Sequence, residues 1–127
     1  MNDRELFETL IKTPSSTWKQ NNNGIIAANK NADIVIAKAE NRKGFDAFYS
    51  LKPEDLQLVL HKGEIRLFDE EIKAQLSAND FSIKEFSKIF LNGKTKYVYG
   101  DLGGLISKIL SYYPKVIFPV SQAKKIK

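Results

Sequence analysis

Cysteine is absent from the 127 residues, which removes disulfides, thiolate nucleophiles and thiolate metal ligands together. That absence fits a reducing compartment, and a cytoplasmic location is the expectation. Histidine occurs once, at His61, and a single imidazole cannot build the two- or three-histidine site of a catalytic zinc centre. Arginine is scarce: apart from Arg4, Arg42 and Arg66, all of the 20 basic residues are lysine. Bidentate recognition of bases and phosphates leans on arginine. A nucleic-acid partner is therefore not expected, despite a net charge of +5. No apolar run approaches the length of a membrane span, and residues 1–7 lack the apolar core of a signal peptide, so no membrane partner is expected either. Repeats, low-complexity tracts and flexible linkers are also missing. Residues 1–127 read as one domain with a single core.

What is present alternates strand-like and helix-like segments. Residues 3–12 read as a helix capped by Asp3, with Leu6, Phe7, Leu10 and Ile11 on one face, ended by Thr13-Pro14. Residues 21–24 form a turn cluster, and residues 24–28 a short strand or turn. Residues 32–39 read as a strand that is apolar on both faces, hence central and covered. Residues 40–52 read as a loop whose aromatics, Phe45, Phe48 and Tyr49, cover the core. Strands at 56–60 and 65–68 flank a hairpin turn at 61–64, and residues 69–76 follow as a helix. Residues 81–91 are a strand or short helix. Asn92-Gly93 is the strongest hairpin signal in the chain, and residues 95–99 return from it. A helix at 102–112, an apolar segment at 116–120 and a mobile basic tail at 121–127 with Lys124, Lys125 and Lys127 complete the chain. The sum is about six strands and two or three helices, a mainly β, α+β domain.

The chemistry on offer is sparse. The carboxylates Glu54/Asp55 and Asp69/Glu70/Glu71 are adjacent in sequence on turns or helix starts, and read as solvated faces rather than as an acid–base pair. Asp33 is expected to accept hydrogen bonds from turn amides, and His61 to sit exposed in a turn. The glycine-rich stretch at 100–104 matches neither the dinucleotide-binding nor the P-loop spacing, so Asp101 reads as a helix cap. No catalytic or metal-binding residue is assigned.

One pattern carries more than composition does. Gly24, Ile26, Lys30, Ala32, Asp33, Ile34, Val35 and Ile36, followed by residues 55–63 ending in Gly63, resemble the segment that follows the last barrel helix in the metal-dependent amidohydrolase superfamily. Asn29 stands where the family has glycine, and asparagine enters the left-handed region readily. The resemblance covers residues 24–68 and implies a small β-sandwich or barrel, the family's composite domain, with 1–20 as a helical lead-in and 69–120 as additional strands and helix. It implies a structural turn motif of Gly24, Asn29, Lys30, Asp33 and Gly63. It further implies that zinc or another divalent metal, and hydrolysis of a non-peptide C–N bond, belong to a catalytic barrel outside this segment, so no cofactor is expected here. The family's sandwich also takes strands from before its barrel. The expected partner is accordingly a second copy or a missing catalytic domain. The alternative is a small interaction module that uses an open sheet edge or the surface of Phe45, Phe48 and Tyr49.

Overall fold

A computed structural model describes residues 1–20 and 22–122. The first helix, α1 (Asp3–Thr17), is capped by Asn2 rather than Asp3. The Asn2 side chain accepts from the Glu5 amide at 2.9 Å, and Glu5 accepts from the Asn2 amide at 2.8 Å, a reciprocal box that satisfies two free amides. The helix also runs through Pro14 instead of stopping before it. Tertiary anchors outweigh the local penalty. The buried Ser15 hydroxyl lies 2.6 Å from Gln20 O and 2.8 Å from Asn23 O, so the last turn is held by the loop that follows it.

The strands are β1 (Ile34–Ala37), β2 (Leu56–His61), β3 (Glu64–Asp69), β4 (Phe86–Leu91), β5 (Lys94–Tyr99) and β6 (Val120–Gln122). They form one antiparallel sheet in the order β1-β2-β3-β5-β4-β6, which is not closed. The class is α+β with mainly β content, as the sequence implies. Three expectations need correction. β1 is an edge strand, not a central one. Residues 40–52 are not all loop: they contain a short helix, α2 (Gly44–Tyr49), followed by a tight helical turn at Pro53–Asp55. Ser121 and Gln122 belong to β6 rather than to a tail; the rest of that tail lies outside the described residues.

The sheet also contains a repeat that the sequence does not advertise. The second hairpin starts thirty residues after the first, Phe86 after Leu56 and Lys94 after Glu64. Both turns carry two residues of positive φ, Lys62-Gly63 (51° and 82°) and Asn92-Gly93 (48° and 81°), the signature of the two-residue turn that matches strand twist. Each hairpin is followed by a helix, α3 (Glu70–Ser77) or α4 (Leu102–Tyr112). At the centre, Leu67 pairs with Val98 and Phe68 with Tyr97. These two pairs lie on opposite faces of the sheet, and the bulge in the first hairpin, between Val59 and Leu60, takes β3 and β5 out of the thirty-residue register.

The core sits where β3 meets β5. Ile36, Leu58, Phe68, Tyr97 and Lys88 are successive cross-strand partners and share a face. Phe68 is fully buried and stacks on Tyr97 at 4.8 Å, with Phe86 at 5.2 Å and Phe81 at 5.8 Å edge-on. On the other face Asp69, Lys96 and Ile89 are successive partners, and all three are buried.

Candidate functional site

The residues of the turn motif gather where β1 begins. Gly24 (φ +83°) lies so close to α1 that an added Cβ would stand 2.9 Å from both Ile11 O and Ser15 Cβ. No larger residue fits there without moving backbone. Asn29 adopts φ +62°, which asparagine tolerates better than most residues. Asp33 Oδ1 accepts the Lys62 amide at 2.7 Å and lies 3.0 Å from His61 Nδ1. The Gly63 amide donates to Ala32 O at 3.0 Å. The lead-in to β1 is thus latched onto the tip of the first hairpin. This is a positioning arrangement: Asp33 faces turn donors, not a pocket with a second acid. Lys30 belongs to the same turn, through its amide to Ala27 O at 3.3 Å.

The aromatic residues have a different task. Phe7 of α1 packs edge-on against Phe48 at 4.8 Å and near Phe45 at 5.9 Å, and Tyr49 donates from its hydroxyl to Asp3 O at 2.8 Å. Phe45, Phe48 and Tyr49 therefore clamp α2 to α1. Burial and the Asp3 carboxylate push the Tyr49 phenol above its ordinary range.

Two of the carboxylates read as solvated are in fact buried, Asp55 and Asp69. Asp69 caps α3 by accepting the Glu71 amide at 2.8 Å and also takes a hydrogen bond from the Lys96 ammonium. Lys96 is fully buried, and its Nζ reaches Glu54 O at 2.8 Å and Leu56 O at 2.5 Å. Three donors meet three acceptors, so the charge is compensated. Asp55 Oδ2 accepts the Lys52 amide at 3.0 Å and faces Arg42 at 3.4 Å, with Lys94 4.0 Å from the other oxygen. The Lys52 amide holds this carboxyl below its ordinary range against burial, with Arg42 and Lys94 adding to the effect. No group of three or more His, Asp or Glu side chains able to hold a metal occurs among the described residues. The hollow lined by Lys19, Gln20, Asn22, Asn23, Asn31 and Lys62 is shallow, polar and open.

What the arrangement does offer is uncovered apolar surface. β1 pairs only with β2 among the described strands, so its outer backbone edge is free. Its side chains are apolar on both faces and remain exposed, Val35 at 60% and Ile36 at 46%. The loop leading to it exposes Ile25 and Ile26. The chain as a whole shows 9763 Å² of surface, whereas a compact monomer of this mass shows roughly 6,800 Å². No family model, curated protein or solved structure gives a significant match to this chain.

Proposed function

We propose that this chain is a non-catalytic β-domain that buttresses a metal-dependent amidohydrolase-type catalytic domain, docking through the β1 edge. The observation that carries the reading is the exposed, doubly apolar edge strand, set beside the turn motif from Gly24 to Gly63. Soluble proteins cover or charge such an edge. Residues 1–37 carry four acids and four bases, so the lead-in to this edge brings no net charge to deter a protein partner. The chemistry would reside in the partner: the described residues bring together no nucleophile with a base and no metal cluster.

The second reading follows from the same edge. Two copies can pair edge to edge and complete each other's sheets, the strand-addition mode of a small interaction module. The tests separate the two readings. A reading frame that continues upstream of the Met1 codon into a barrel with a His-x-His strand supports the first. Concentration-dependent dimerisation in sedimentation velocity, abolished by Val35→Lys, supports the second. A chain that turns over an amide substrate by itself with stoichiometric zinc overturns both.

A further inference from the structure

We infer that α4 and the segment after it form a second, chemically distinct surface that binds anionic phospholipid headgroups peripherally. The inference stands apart from the docking reading, because α4 and the segment after it share no residue with β1 or its lead-in. It begins with the placement of charge. All 15 acidic residues lie at or before Asp101, where 15 of the 20 basic residues balance them. Residues 102–127 contain no acid and five lysines, Lys108, Lys115, Lys124, Lys125 and Lys127. The whole net charge of +5 therefore belongs to this last stretch.

The same stretch is where apolar side chains stand uncovered. No residue of α4 is buried. Leu105 is 54% exposed, Tyr112 72% and Ile117 90%. Leu105 and Tyr112 are seven residues apart and share a helix face, and Lys108 lies one turn from each. Leucine and tyrosine on one face with lysine beside it is the composition of a helix that lies in the headgroup layer.

Other occupants fit less well. A second copy would bring a second Lys108 and Lys115 to the same patch, with no acid there to pair them. Protein interfaces enrich arginine and deplete lysine, and base readout prefers arginine, yet residues 102–127 contain none. Lysine serves a diffuse negative surface well, as a point charge on a stem that can lie along apolar surface. The expectation of no membrane partner rests on the lack of a spanning run. That lack is real among the described residues, where no helix is long and apolar enough to cross a bilayer, but it does not bear on a helix that lies flat.

The test uses the full chain with extruded vesicles of phosphatidylcholine alone and of phosphatidylcholine with phosphatidylglycerol at about three to one. Co-sedimentation only with the anionic vesicles is expected, lost when salt rises from about 0.05 to about 0.5 M. The double variant Lys108→Gln/Lys115→Gln should weaken that binding by about 30-fold, and Leu105→Gln/Ile117→Gln should weaken it with the salt dependence kept. Unchanged far-UV circular dichroism shows that the variants fold. No binding, or equal binding to both vesicle types, overturns the proposal. So does tighter binding to a 20-base-pair DNA duplex, or a dimer that the same substitutions dissolve.

Discussion

Replacing Lys96 with methionine tests the account of the core directly. Methionine keeps the length and apolar stem of the side chain and removes the charge. The change strands Asp69, which is buried, and removes the donor that serves Glu54 O and Leu56 O. Breaking one partner out of a buried ion pair costs about 3–5 kcal/mol, against a total stability of about 5–15 kcal/mol for a domain. The melting temperature should fall by roughly 10–20 °C for a domain of this size. The companion Asp69→Asn keeps a helix cap, since asparagine caps as well as aspartate. The double variant Lys96→Met/Asp69→Asn should therefore be less destabilised than the two single losses summed. The penalty on Lys96→Met should also shrink as pH falls below about 5, because an unpartnered buried carboxyl prefers its neutral form. Urea denaturation at pH 7 and at pH 4.5 measures both effects. A single-variant cost below about 1 kcal/mol, within the range of an exposed pair, would refute the reasoning, as would strictly additive costs.

Two further perturbations follow from the geometry. Gly24→Ala combines a positive φ with a Cβ 2.9 Å from the Ile11 carbonyl, and should destabilise by about 1–3 kcal/mol, read as a lower urea midpoint with unchanged slope; an unchanged midpoint would mean that the turn does not need glycine. Acid should unfold the chain in a defined window: burial pushes the Asp69 carboxyl up, but the Glu71 amide and Lys96 outweigh it, so its pKa is lowered, while the Tyr97 hydroxyl and Lys73 lower that of Glu70. Stability from such groups is fully present above about pH 4.3, the ordinary carboxylate range, and is lost as pH falls through the lowered values; a stability maximum near pH 3 would contradict the assignment.

The sequence made much of the sheet legible, because local signals there agree with tertiary need. Asn92-Gly93 and Lys62-Gly63 announce their hairpins through turn chemistry, and Asp101 announces α4 as its cap. What stayed hidden depended on contacts that local propensity does not report. Pro14 sits inside α1 because Ser15 is anchored by Gln20 and Asn23. The Lys96–Asp69 pair joins residues 27 positions apart, and lysine within a strand gives no hint of burial. β1 reads as central because both its faces are apolar, the signature shared by a covered strand and by an edge awaiting a partner. The thirty-residue repeat is masked by divergence: of the hairpin positions, the turn glycine is identical, while only five others match in being apolar.

That divergence explains why the two halves of one frame do different work. In sequence, Lys96 and Tyr99 stand thirty residues after Arg66 and Asp69, but the bulge in the first hairpin breaks the structural match. On one side a cation is sealed beneath the turn at Pro53–Asp55, with a carboxylate and two carbonyls. On the other, the Arg66 guanidinium lies 4.7 Å from the Tyr99 ring centroid and pairs with Glu64, a combination that tolerates solvent and orders little. The outer strands differ as well. β1 ends the sheet with apolar side chains and a lead-in of balanced charge, whereas β6 ends it beside a stretch that is basic throughout. The two proposed surfaces, at β1 and at α4, are chemically unlike, and the Val35→Lys and Lys108→Gln/Lys115→Gln variants should therefore impair different associations independently.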